Sequence, residues 1–181
     1  MKIVIDGNIG SGKTTQLGRF ASNGWTVKYE PIEQWPLELF YSDMERWGFL
    51  FQIVVLQTLK ISPGTVIYER SPLSSKNVFW KIMKKTPIED EVYNRAFEQI
   101  GWGPDIYILI DTPPEICLQH MQNRIQAGDG GVSLDYLRQL DEQYKLMYDN
   151  LNCPKIKIDG TQTIEKIHES ISAYITNAKV L

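Results

Sequence analysis

Residues Gly7, Asn8, Ile9, Gly10, Ser11, Gly12, Lys13, Thr14 and Thr15 read GNIGSGKTT and follow directly on the apolar run Lys2-Ile3-Val4-Ile5. From Gly7 to Thr14 they satisfy the spacing G-x-x-x-x-G-K-[ST] in full. Small residues let the backbone close around an anion. Its N–H groups, with the N-terminus of the helix that follows, then point at phosphate oxygens. Lys13 is placed to reach the β- and γ-phosphates, and the Thr14 hydroxyl to bind Mg²⁺. The stretch predicts a site for a nucleoside triphosphate, with ATP expected. It leaves open what receives the phosphate: water, a protein, a nucleotide or a small hydroxyl compound.

Three further stretches bear on the acceptor. YEPIEQW carries Glu30 just before Pro31, YERS carries Glu69 and Arg70, and ERWGFLFQIVVLQTLK carries Gln52 on an otherwise apolar face. Taken singly, Glu30 reads equally as a solvated loop carboxylate, Gln52 as a satisfied polar group and Trp35 as core. Taken together, they fall at or near the C-terminal ends of parallel strands, where open α/β sheets bind ligands. A cleft holding two carboxylates, an arginine, an amide and several aromatics suits a planar base and a hydroxyl acceptor. An Asn/Thr-Lys-x-Asp guanine-reading motif is missing, which argues against a GTPase. A chain of 181 residues is too short for motor or AAA-type ATPases and fits a small kinase.

The elements that must position these residues alternate in type. Strands are predicted at 2–6, 25–29, 65–69, 105–110 and 155–158, with near-continuous apolar sequence that suits strands covered on both faces. Helices are predicted near 13–22, 36–42, 45–60, 74–85, 89–100, 114–127, 133–149 and 163–178. Gly24 suits the end of the first helix, and Ser133 suits an N-cap. The order implies an α/β fold: a five-stranded parallel sheet flanked by helices on both faces, with right-handed crossovers. One domain is expected over 1–181. NRIQAGDGG, at 123–131, reads either as an interhelical turn or as a short lid over bound phosphates.

Composition narrows the partners. Apolar residues make up 43%, charged residues 23%, and the formal net charge is −3 with a pI near 5.5. That balance argues against a nucleic-acid-binding or anionic-membrane surface. No apolar run approaches the roughly 20 residues that span a bilayer, and no leader precedes the first predicted strand, so a cytoplasmic location is expected. Cys117 and Cys153 are expected to be reduced. His120 and His168 lie far apart and form no metal-ligand pattern.

The combination of GNIGSGKTT, EPIEQW, Phe-Gln in an apolar helix, and ERS followed by a Phe resembles the deoxyribonucleoside kinase family, from residue 3 to about 149. The resemblance implies a P-loop kinase that transfers phosphate from ATP, with Mg²⁺, to the 5′-hydroxyl of a deoxynucleoside. It implies Glu30 as general base, Arg70 as its partner and Glu69 with Thr14 at the metal. Gln52 would read the base edge, Phe51 and Phe79 would sandwich the base, and Trp35 would wall the sugar side. Tyr41 and Asp129 would meet the 3′-hydroxyl, and Arg124 would reach the transferring phosphoryl group. The family is usually homodimeric through two helices, for which 45–60 and 74–85 are the candidates.

The chain departs from the family in places. Gln126 stands where a second lid arginine is usual, Asp6 where Glu is common, and Asp111 is a variant similar to thymidylate kinases. At the two positions that carry charged residues in deoxycytidine-selective members, this chain has Leu59 and Ser75. A neutral pocket with room for a methyl group implies thymidine first and deoxycytidine second. Two rival readings remain: a thymidylate kinase, and a catalytically weak nucleotide-binding protein.

Overall fold

A computed structural model describes residues 1–124 and 131–178. Asp129 and Gln126, with most of the expected lid, lie outside the described residues. The strands are β1 (Lys2–Asp6), β2 (Val27–Lys28), β3 (Val66–Glu69), β4 (Ile106–Asp111) and β5 (Lys155–Asp159). They form one parallel sheet in the order β2-β3-β1-β4-β5. Ile3, Val4 and Ile5 are fully buried, as the unbroken apolar run requires when helices cover both faces.

Successive residues of a strand point to opposite faces, so each strand feeds two cores. On one face Val4, Tyr68, Tyr107 and Leu109 pack against Leu137, Leu140 and Tyr144 of α8 (Leu134–Asn150). On the other, Ile3, Ile5, Ile67 and Ile108 meet Leu17 and Phe20 of α1 (Lys13–Ser22) and Ile167, Ile171 and Ile175 of α9 (Ile164–Ala178). A third cluster, beside the sheet, joins Phe40 of α2 (Leu37–Ser42), Phe51 and Val55 of α3 (Met44–Thr58), and Tyr93 of α6 (Pro87–Ile100). Among the described residues, no helix is long and apolar enough to cross a membrane.

Three expected boundaries shift for local reasons. β2 is shorter than 25–29 because it is an edge strand paired only with β3, and Trp25 N–H still bonds back to Phe20 at the end of α1. α6 begins before residue 89, at Pro87. The Thr86 hydroxyl accepts from Glu89 N–H while the Glu89 carboxylate accepts from Thr86 N–H, a reciprocal cap that starts the helix two residues earlier. The expected helix 74–85 is three pieces: α4 (Pro72–Ser74), a π turn (Ser75–Phe79) and α5 (Trp80–Ile82). Trp80 N–H bonds to Ser75 C=O, five residues back. Such widened turns concentrate at functional sites, and this one carries Ser75 and Phe79. Helix α7 (Pro114–Asn123) ends four residues short of the expected 127.

Candidate active site

The phosphate loop leaves β1 at Asp6 and enters α1 at Lys13. It can turn there because Gly10 and Gly12 take positive φ values of 80° and 95°. A Cβ on Gly10 would lie 2.5 Å from the Cys117 carbonyl. Gly10 is a free position of the spacing; at its two fixed glycines, a Cβ on Gly7 would lie 2.5 Å from the Ile110 carbonyl and Gly12 holds φ 95°, so both demand glycine. Lys13, 4% exposed, folds over the loop and donates to the Asn8 carbonyl at 2.7 Å. Burial, then the Arg70 charge, lowers its ammonium to about 8. A phosphate placed beside it would favour the charged ammonium again. Ser11 Oγ is buried with no hydrogen-bond partner among the described residues, an orphan that a phosphate oxygen would satisfy.

Glu69 ends β3 and Arg70 follows it, one register step from Ile5 of β1. Thr14 Oγ1 donates to Glu69 Oε1 at 2.7 Å. A hydroxyl and a carboxylate paired beside the phosphate loop form a donor set that suits Mg²⁺, which keeps waters and uses few protein ligands. No group of three or more His, Cys, Asp or Glu side chains that could cage a metal exists among the described residues. A metal here would be shared with the phosphates of a bound nucleotide.

Arg70 is the most constrained side chain in the site. It adopts φ 60°, the one non-glycine residue with positive φ among those described. Its neighbours hold it in that strained conformation. Nε donates to Tyr144 Oη at 2.8 Å, Nη2 reaches the Gly7 carbonyl at 3.3 Å, and Nη1 donates to Glu30 in a close ion pair. Asp6 lies 3.7 Å from Nε, and the guanidinium sits 5.1 Å from the Phe79 ring centroid. Burial acts to lower Arg70, but the charges of Glu30, Tyr144 and Asp6 outweigh it and hold it well above its ordinary value.

An arginine alongside would by itself keep the Glu30 carboxyl low, but burial opposes it. Its side chain is 9% exposed, and burial pushes its carboxyl up to about 7, with Arg70 pulling the other way. A carboxylate with a pKa near neutral is better matched to proton abstraction than one at its ordinary value.

These groups open on one cavity of about 880 Å³. Of the residues singled out from sequence, Ile9 to Thr15, Glu30, Trp35, Tyr41, Phe51, Gln52, Glu69, Arg70, Phe79 and Arg124 all line it. Gly7 and Asn8 do not. They brace the loop from behind, Asn8 Nδ2 donating to the Leu137 carbonyl at 2.8 Å. Phe51 stacks on Phe40 with ring centroids 4.2 Å apart, and Trp35 Nε1 donates to Thr58 Oγ1 at 2.8 Å. Asp111 is absent from the cavity wall and faces Lys157 at 3.8 Å. Sequence reasoning missed Tyr144, Tyr93 and the Gly160-Thr161-Gln162 turn after β5, whose residues also line the cavity. The place of that turn, at the C-terminal end of a parallel strand, was the available signal.

A family model for deoxynucleoside kinases matches residues 3–180. The chain is 31% identical over 184 residues to "Probable deoxycytidine kinase FPV151" of Fowlpox virus (strain NVSL), covering 88% of this chain and 78% of the relative. It is 31% identical over 159 residues to "Thymidine kinase 2, mitochondrial" of Homo sapiens, covering 75% and 59%. Among solved structures, the deoxyadenosine kinase from M. mycoides with bound dCTP superposes with a TM-score of 0.85 at 20% identity, over 98% of this chain and 100% of that one. With the nucleotide-binding fold and the geometry of the cavity, these similarities mean that the chain belongs to the deoxynucleoside kinase family.

Proposed function

We propose that this enzyme transfers the γ-phosphate of ATP to the 5′-hydroxyl of a deoxyribonucleoside, thymidine and deoxycytidine being the acceptors expected from the neutral Leu59 and Ser75. The observation that carries the reading is the buried Glu30–Arg70 pair on the wall shared with the phosphate loop. Glu30 takes the proton of the 5′-hydroxyl as its oxygen bonds to the γ-phosphorus and the bond to the ADP oxygen breaks. Arg70 holds that oxygen and the base in line. Lys13 and Arg124 face the charge that builds on the transferring group, where fixed cations contribute most. Thr14 and Glu69 would hold Mg²⁺, which would supply positive charge against the phosphates. Gln52 meets the base edge, Phe51 and Phe79 flank the ring, and Trp35 and Tyr41 bound the sugar. Asp129, also proposed for the sugar, lies outside the described residues.

The cavity favours a nucleoside over a nucleoside monophosphate. Its lysine and arginine side chains among the described residues are Lys13, Arg70 and Arg124, each already assigned to the donor phosphates or to the base. Asp111, the feature that suggested a thymidylate kinase, lies off the cavity wall and faces Lys157 at 3.8 Å.

The homodimer is proposed through α3 and α6 and not through 74–85, whose Val78 and Trp80 are core. Leu50, Ile88 and Val92 are instead exposed on α3 and α6. The mass in solution tests this. The activity is tested by ADP release with each deoxynucleoside and with dTMP, in wild type and in Glu30→Gln. Turnover with a nucleoside that the variant loses supports the reading, and turnover with dTMP alone overturns it.

A further inference from the structure

Gln52, Ser75 and Tyr93 form a hydrogen-bond chain at the base end of the cavity that no step of phosphoryl transfer uses. Gln52 Oε1 accepts from Ser75 Oγ at 2.8 Å, and Ser75 Oγ lies 2.7 Å from the Tyr93 hydroxyl. Gln52 is 1% exposed, Ser75 2% and Tyr93 0%. Tyr93 reaches in from α6, its ring stacked on Trp80 with centroids 4.3 Å apart. Ser75 is the one hydrogen-bond partner of its hydroxyl among the described residues.

Counting hydrogens sets the direction of this chain. A buried hydroxyl that donates to nothing is costly, so Tyr93 donates to Ser75. That leaves the Ser75 hydrogen for Gln52 Oε1. In the reversed amide, Nε2 would donate to Ser75, which either donates to Tyr93 and strands the phenol hydrogen or accepts from both and strands its own. Amide orientation is assigned from the surrounding hydrogen bonds, and only one orientation here satisfies every buried group. Burial also pushes the Tyr93 phenol well up, so it keeps its proton and remains a donor.

The amide therefore offers the cavity a fixed order of groups. At the Ser75 end only lone pairs remain, one on Oε1 and one on Ser75 Oγ. At the other end Nε2, without a partner among the described residues, has two N–H groups to give. The N=C–NH₂ edge of cytosine or adenine meets this order: the ring nitrogen accepts from Nε2 and the amine donates to Oε1. The second amine hydrogen then faces Ser75 Oγ. Thymine and uracil present N–H flanked by two carbonyls. They can satisfy the amide only by turning the second carbonyl toward the lone pairs at the Ser75 end.

We infer that the Tyr93–Ser75–Gln52 chain locks the Gln52 amide and makes the enzyme prefer deoxynucleosides with an N=C–NH₂ edge, deoxycytidine and deoxyadenosine, over thymidine and deoxyuridine. The inference rests on the reading of Gln52 as the residue that meets the base. It reverses the thymidine-first order drawn from an uncharged Leu59 and Ser75, because a neutral serine can still impose a direction.

Deoxycytidine and deoxyuridine test it cleanly, since neither carries the methyl group and they differ only in that edge. Wild-type kcat/KM should favour deoxycytidine by about 10- to 100-fold, the range expected for one mispaired buried group. Ser75→Ala frees the amide and should narrow the ratio about tenfold by raising the deoxyuridine value. Tyr93→Phe removes only the anchoring donor and should narrow it less. A merely structural role would lower both substrates together and leave the ratio alone. A wild-type ratio at or below one, or a ratio unmoved in both folded variants, overturns the lock. Thermal melts of the full chain with each deoxynucleoside and no ATP separate the two readings. If no deoxynucleoside is phosphorylated, the kinase reading fails while the melts still rank the bases. Equal stabilisation by deoxyuridine and deoxycytidine sinks the lock alone.

Discussion

At one end of the cavity Lys13, Thr14, Glu30, Glu69 and Arg70 crowd charge around the ends of β1, β2 and β3. At the other end Gln52, Ser75 and Tyr93 gather neutral groups from α3, the π turn and α6. The charged end holds its groups by ion pairs and backbone turns, with Arg70 pinned by Tyr144, Gly7 and Glu30. The neutral end holds its groups by a single line of hydrogen bonds. Low dielectric makes each arrangement stiff, but in different currencies. Displacing a charge leaves a buried ion unpaired, whereas displacing a hydroxyl leaves one donor or acceptor unmet. Rate is therefore expected to reside at the first end and choice of substrate at the second.

The sharpest way to break that contrast is Glu30→Gln, which keeps the shape and removes the proposed base. It should lower kcat about 10²- to 10⁴-fold with little change in nucleoside affinity, read by steady-state kinetics and by melts with ligand. Arg70→Met should come next in effect, because it leaves Glu30 buried without its cation. A loss of about 3–5 kcal/mol in stability is expected, measured by denaturant unfolding. A fully stable Arg70→Met protein would show that the charged end is not held by this pair.

The pH profile sharpens the comparison further. With its carboxyl pushed up to about 7, Glu30 holds a proton below that pH and cannot accept another. kcat/KM for the deoxynucleoside should therefore fall about tenfold per pH unit below about pH 7 and level off above it. Glu30→Gln should lose this limb. Tyr144→Phe, which deletes the 2.8 Å bond that aims Arg70, should cost roughly tenfold in kcat, the worth of one hydrogen bond to a charged group. It should also move the acid limb upward, since a loosened Arg70 pulls less on Glu30. The smallest effect belongs to the neutral end. Trp35→Phe loses the bond to Thr58 and should raise KM by about three- to tenfold, roughly one neutral hydrogen bond, with kcat held. If Trp35→Phe instead lowered kcat as much as Tyr144→Phe, the division of labour between the two ends would be wrong.

Glu30, Gln52 and Arg70 could be picked out of the chain because each interrupts an apolar element or ends a strand, and strand ends are where parallel sheets bind ligands. Tyr144 gave no such signal. It sits at helical spacing among Leu137, Leu140 and Met147 and reads as core, which most of its ring is. Its hydroxyl meets Arg70 from 74 residues away. Tyr93 likewise reads as an ordinary helical aromatic until the packing of α6 behind the π turn brings it to Ser75. The same π turn explains why 74–85 was expected to be a continuous helix. The segment reads as one helix by its length and apolar spacing, and only the shift of one hydrogen bond to Ser75 C=O widens the turn.

The sequence by itself determined the parallel α/β sheet, the phosphate loop and the pairing of a carboxylate with an arginine in front of it. The first two follow from residues close together in the chain or from a period of apolar residues, and the third, between residues 40 apart, from the resemblance of their motifs to a known family. Tertiary structure alone decided that burial outweighs Arg70 in pushing Glu30 up to about 7, and how Arg70 is held in its left-handed conformation. It also decided which way the Gln52 amide points. Solvent exclusion and hydrogen-bond direction depend on what surrounds a group on every side, and those neighbours come from distant parts of the chain.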